Sequence, residues 1–172
     1  VLHVGLGQHA GNVWGYTDPD GTDYAICCTD ERVVFVDTRT RQIVGTAPIP
    51  FSAHVARTFR HYCYITTDGQ GGNGLGLRIV DLQYLPDSIH DLGYYTAISD
   101  FTGHTHHIDT SRGFLYLTAQ SFIGGFRVFD LSDPEAPVQV SPVVSPEYRS
   151  HEVFARNDMA WVAESYNGTF SV

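Results

Sequence analysis

Three short runs decide the architecture: Val33-Val34-Phe35-Val36-Asp37, Leu77-Arg78-Ile79-Val80-Asp81 and Phe126-Arg127-Val128-Phe129-Asp130. Each is an apolar, β-branched or aromatic stretch closed by aspartate. Their starts are separated by 44 and 49 residues (77 − 33 and 126 − 77). A helical period is missing throughout, and short apolar runs recur between turn residues, the mark of many short strands. A recurrence of that length matches one propeller blade.

Other strands fall into register around the landmark. An aromatic-centred run precedes it at Tyr24-Ala25-Ile26-Cys27, Cys63-Tyr64-Ile65-Thr66 and Leu115-Tyr116-Leu117-Thr118, and recurs at Ala160-Trp161-Val162-Ala163. Shorter runs stand before these, at Val13-Trp14-Gly15-Tyr16, His54-Val55-Ala56-Arg57, His107-Ile108-Asp109 and Glu152-Val153-Phe154-Ala155. Outer strands follow the aspartate at Gln42-Ile43-Val44-Gly45, residues 89–93 and Val138-Gln139-Val140. The expected fold is all-β, a β-propeller of consecutive four-stranded antiparallel blades near residues 9–50, 51–98, 101–146 and 147–172.

The turns carry matching chemistry. Asp20-Gly21 and Asn167-Gly168 predict two-residue hairpins, which need positive φ. The clusters at 71–74 and 124–125 mark the second hairpins of their blades. Asp133-Pro134 turns the chain where no ladder donor is needed. The fourth repeat stops inside its third strand, and residues 1–8 read as a stray outer strand. A piece of a larger ring is expected, since propellers hold about four to eight blades. The alternative is that residues 1–8 complete the last blade. An open blade edge would invite self-association.

Composition narrows the function classes. Ten basic and 19 acidic residues give a formal charge of −9. Nucleic-acid binding needs basic stripes, and none is visible. No apolar run approaches the ~20 residues of a membrane helix. The first residues show no signal peptide, which is then absent or already removed. Cys27, Cys28 and Cys63 have no metal or scaffold spacing. Buried free thiols are expected, with one bridge from Cys27 or Cys28 to Cys63 as the alternative.

Gly11-Asn12-Val13-Trp14-Gly15-Tyr16-Thr17-Asp18-Pro19 resembles the opening of the choice-of-anchor B family of LVIVD-repeat proteins. Leu77-Arg78-Ile79-Val80-Asp81-Leu82 and Phe126-Arg127-Val128-Phe129-Asp130-Leu131-Ser132-Asp133-Pro134 resemble its repeat. The resemblance implies an exported or cell-surface propeller and says little about chemistry. Members of that family have more blades than this chain can hold.

Histidine recurs at one position. His54, His106 and His151 each stand ten residues before the central aromatic of the next strand, Tyr64, Tyr116 and Trp161. That position begins the innermost strand, so the three are expected at one mouth of the channel. His104, His107, Asp109 and Glu152 are neighbours. Imidazoles converging with a carboxylate suit zinc, copper or another divalent metal, and His54, His106 and His151 with Glu152 form the candidate ligand set. The same groups suit an acidic sugar or acid–base work. The competing reading is structural, with each ring bonding backbone of the next blade.

Other motifs are weaker. Asp18-Pro19-Asp20-Gly21-Thr22-Asp23 starts like a calcium loop, but its glycine falls early and no glutamate closes it. Asp37, Asp81 and Asp130 are expected to accept from turn amides. No Gly-x-Ser-x-Gly occurs, and no helix follows the glycine pairs to form a phosphate loop. Two functions are expected from these residues. One is a non-enzymatic binding or scaffold module with a protein or carbohydrate partner. The other is a metal-binding or polysaccharide-active enzyme using the histidine mouth.

Overall fold

The run ending in aspartate forms the third strand of three successive sheets. In the computed structural model, residues 3–50, 52–67, 76–95, 103–119, 125–144, 149–165 and 168–172 are described. The first sheet is β1 (Ala10–Thr17), β2 (Asp23–Thr29), β3 (Arg32–Asp37) and β4 (Ile43–Pro48). The second is β5 (Ala53–Phe59), β6 (Tyr62–Thr67), β7 (Leu77–Asp81) and β8 (His90–Tyr95). The third is β9 (Gly103–Asp109), β10 (Phe114–Ala119), β11 (Phe126–Asp130) and β12 (Val138–Gln139). The fourth holds β13 (Arg149–Arg156), β14 (Met159–Ser165) and β15 (Thr169–Ser171) among the described residues. Strands neighbour one another in chain order within every sheet, and all pairs are antiparallel. The first strands, β1, β5, β9 and β13, touch in succession along the axis, as the inner strands of propeller blades do.

The core lies between blades, because each sheet buries one face on its neighbour. Tyr24, Ile26, Cys28 and Phe35 of blade one pack with Ala56, Cys63, Ile65 and Val80 of blade two. Tyr64, Leu77 and Ile79 pack with Ile108, Leu117 and Phe129 of blade three. Phe126 packs with Val153 and Val162 of blade four. Hydrogen bonds stitch the same seams. Trp14 Nε1 donates to Thr58 Oγ1 at 2.9 Å, and the Tyr64 hydroxyl donates to the Pro134 carbonyl at 2.8 Å.

The repeated aspartates do the turn work expected of them. Asp37 Oδ1 accepts from the amides of Arg39 and Thr40, Asp81 Oδ1 from Gln83, and Asp130 Oδ1 from Ser132. Those amides hold the Asp37 carboxyl below its ordinary value, Thr40 contributing most. Cys27, Cys28 and Cys63 are free thiols, with Cys28 and Cys63 buried.

Three local expectations need correction or fall outside view. The Asp20-Gly21 hairpin is a five-residue loop, since Thr17 pairs Asp23. Asp18 Oδ1 accepts from the amides of Asp20 and Thr22, so the aspartate organises a longer turn, with Gly21 at φ +82°. Residues 3–9 form no strand. They lie instead on the β2–β3 turn, where Arg32 Nη2 donates to the Leu6 carbonyl at 2.8 Å and Gln8 Nε2 to Glu31 Oε2 at 2.6 Å. The glycines at 71–74, Gly124, Pro146 and Asn167 lie outside the described residues.

Candidate functional site

Each inner strand bulges one residue or so after it begins. Ala10 pairs Thr29 but Asn12 pairs Cys28, so Gly11 is the extra residue. Ala53 pairs Thr67 but Val55 pairs Thr66, which places the bulge at His54. Ser150 pairs Glu164 but Glu152 pairs Ala163, which places it at His151. In blade three, Gly103 pairs Ala119 and His106 pairs Leu117, so His104 and Thr105 oppose Thr118. Bulges re-aim side chains near functional sites.

The equivalent of His54 and His151 is therefore His104. Arg57, His107 and Phe154 pair the central aromatics Tyr64, Tyr116 and Trp161. Counting back three residues gives His54, His104 and His151. The expected offset of ten fails in blade three because its first hairpin is longer. Phe59 pairs Tyr62 and Arg156 pairs Met159, leaving two residues in each turn, whereas Asp109 pairs Phe114 and leaves four. Asn157 and Asp158 both take positive φ, as a tight hairpin demands. The two extra residues of blade three move the matching histidine from position 106 to 104.

The bulge histidines meet. The His54 and His104 rings stack with centroids 4.2 Å apart and planes at 27°. His104 Nε2 lies 3.2 Å from His151 Nε2, with the rings edge to face at 68°. His104 is buried, His54 half-buried and His151 exposed, so the row opens to solvent at blade four. Its backbone is anchored by threonines of the preceding blade. Thr66 Oγ1 donates to the His104 carbonyl at 3.0 Å, and Thr105 Oγ1 to the His151 carbonyl at 2.8 Å. The interblade bonds at this level thus use the carbonyls of His104 and His151.

His106 is not in the row. It sits two residues further along, at the position of Ala56 in blade two and Val153 in blade four, both of which face the preceding blade. Its ring is wholly buried, with Nδ1 3.4 Å from Thr66 Oγ1. Burial, helped by the charge of Arg57 and by His107, pushes its pKa down to about 3. The ring is thus neutral, and it serves as packing.

A second level lies three residues past the bulges. The Arg57 guanidinium stacks over Trp14 at 4.5 Å, and the His107 ring lies 4.7 Å from Phe154. His107 Nε2 lies 3.0 Å from the Ala155 carbonyl, which is the interblade backbone bond expected of a structural histidine. Glu152 is exposed and within Coulombic reach of Arg57 and His107. It therefore addresses the second level, and Asp109 is used by its own turn, accepting from Ser111. Among the described residues, no group of three or more His, Cys, Asp or Glu side chains is arranged to hold a metal ion.

Two surface concavities lie away from the row. One, about 500 Å³, is lined by Val13, Gly15, Ala25 and Thr38 on the outer face of blade one. The other, about 370 Å³, is lined by Phe126, Val144, Met159 and Val172. Blade four also presents Phe154 and Phe170 to solvent, at 48% and 73% exposure. Pairing puts them on one face with Trp161 and Ala163, so this face is apolar and partly exposed among the described residues.

No protein-family model matches the sequence, and no curated protein matches it. The fold is similar to the crystal structure of the Cps50 (Swd1) β-propeller domain from Myceliophteria thermophila, with a TM-score of 0.72 at 9% sequence identity. The match covers 95% of this chain and 53% of that one, so the chain spans about half the length of the domain it resembles. At that identity the likeness establishes the fold, a run of consecutive β-propeller blades.

Proposed function

We propose that the protein is a non-enzymatic binding or scaffold module, exported or held at the cell surface. One observation carries the binding role. Imidazoles from three blades, His54, His104 and His151, come together at the bulges of the inner strands, and the backbone at His104 and His151 is fixed by interblade hydrogen bonds. A rigid frame that presents side chains suits recognition, because little ordering remains to be done on binding. The resemblance of its repeats to LVIVD-repeat proteins supports the compartment.

A polysaccharide-active enzyme is the second reading, favoured by the same histidines as acid–base groups. Incubation of the purified chain with an acidic oligouronate separates the two. The binding reading expects saturable retention, weakened in His151→Ala, with no unsaturated or shortened product. Product formation that disappears in His151→Ala would overturn it and establish the enzyme.

A further inference from the structure

We infer that the face of blade four carrying Phe154, Trp161 and Phe170 docks on the outer face of blade one of a second copy, so that two chains close one ring head to tail. The seams inside the chain already follow one register. Trp14, Arg57, His107 and Phe154 hold the same place on their inner strands, opposite Ile26, Tyr64, Tyr116 and Trp161. From that place a side chain reaches the position one residue further along in the next blade. Trp14 Nε1 donates to Thr58 Oγ1, and His107 Nε2 lies 3.0 Å from the Ala155 carbonyl. Continued by one blade, the same register carries Phe154 to Gly15 of the second copy.

Both outer faces expose positions that the internal seams bury. Phe170 pairs Ala163 as Val33 pairs Cys28, Leu77 pairs Thr66 and Phe126 pairs Thr118. Those three are 0%, 1% and 6% exposed, whereas Phe170 is 73% exposed. On blade one, Val13 holds the place of Ala56 and Val153, which are 0% and 2% exposed, yet is itself 63% exposed. Blade after blade of this chain covers these positions with another blade of the same kind, and a second copy offers the face each end lacks.

The two faces also match in size. Blade one has Gly15 where the later blades have Thr58, Ile108 and Ala155, and Cys27 where they have Ile65, Leu117 and Val162. A Cβ at Gly15 would meet nothing within 4 Å, and the concavity of about 500 Å³ lies there. Blade four brings three aromatic rings, the residues that anchor interfaces by filling such hollows. Val34 and Val36 of β3 are already buried, so the free part of the blade-one face is its inner half, on β1 and β2, where Phe154 and Trp161 arrive. A contact between unlike faces runs on as a fibre unless the arc closes it. The chain covers 53% of the propeller domain it resembles, so two arcs make about one ring.

Pairing of two copies does not depend on the binding role of the histidines, and its test needs no ligand. Sedimentation equilibrium of the intact chain over a concentration series should show a species of twice the 19.1 kDa of one chain. Gly15→Arg on one face and Phe170→Glu on the other should each weaken it roughly thirtyfold or more, the scale of losing an interface hot spot. Both residues are exposed, so each variant keeps the fold, which a melting curve checks. Should one variant unfold, the other decides. A monomer at every concentration, growth beyond two chains, or a dimer that Gly15→Arg leaves intact would overturn head-to-tail closure.

Discussion

Acid should destabilise this protein in large part through one wholly buried ring, His106. The ring lies between blades two and three, fully buried, and its folded-state pKa is near 3. In the unfolded chain a histidine titrates near ~6.5. Because the folded value is the lower one, the unfolded state binds more protons between those limits. Stability is therefore fully present above ~6.5 and is lost as pH falls towards ~3. At pH ~4.5 the unfolded ring is nearly all protonated while the folded ring is nearly all neutral. Two pH units below ~6.5, at somewhat over ~1 kcal/mol per unit, the loss is about 3 kcal/mol. His106→Leu keeps an apolar ring-sized group in a slot that holds Ala56 and Val153 in the neighbouring blades. Thr66 keeps its bond to the His104 carbonyl in that variant. Urea unfolding at pH ~7.5 and ~4.5 compares the two proteins, and the variant should lose about 2–3 kcal/mol less than the wild type on acidification. Equal losses would refute the assignment of the acid sensitivity to this ring.

Further outcomes follow from the same seams. Thr66→Val leaves the His104 carbonyl without its donor and should cost about 1–2 kcal/mol, read by denaturant midpoint. Gly103→Ala would place a Cβ 2.8 Å from Leu117 Cδ1 and 3.1 Å from Thr66 Cγ2, so a loss of about 1–3 kcal/mol is expected in the same assay. Thiol titration of the denatured, unreduced chain should find three free groups. In the folded protein Cys27 should react first. Burial raises all three thiols, Cys28 to about 12 and Cys63 well above its ordinary value, and these two are the ones sealed in the core.

Local chemistry explains why so much of the fold is legible in the residues. The runs at 33–37 and 77–81 form strands buried on both faces, the run at 126–130 forms a partly buried one anchored by Phe126 and Phe129, and their aspartates cap the turn that follows. Repetition then specifies the blade, because one four-stranded sheet cannot bury its own faces and must stack on a copy. The free thiols are legible for a similar reason, since adjacent cysteines on one strand face opposite ways.

Whether histidines meet is another matter. The row of inner-strand imidazoles is written into the sequence as a recurrence, yet its members depend on pairing. A hairpin two residues longer between Asp109 and Phe114 displaces the matching histidine, and no rule of sequence spacing reveals where a bulge will sit. Once the strands pair, His104 turns to His54 and His151 while His106, two positions on, is sealed between blades. Plain alternation would put residues two apart on one face, so it is the bulge at His104 and Thr105 that sends His104 to the row and His106 into the seam. The sequence by itself determined the blades, their order and the presence of histidine at their inner edge. Only the tertiary structure decided which rings face one another, because that depends on bulges and interblade contacts between residues far apart in the chain.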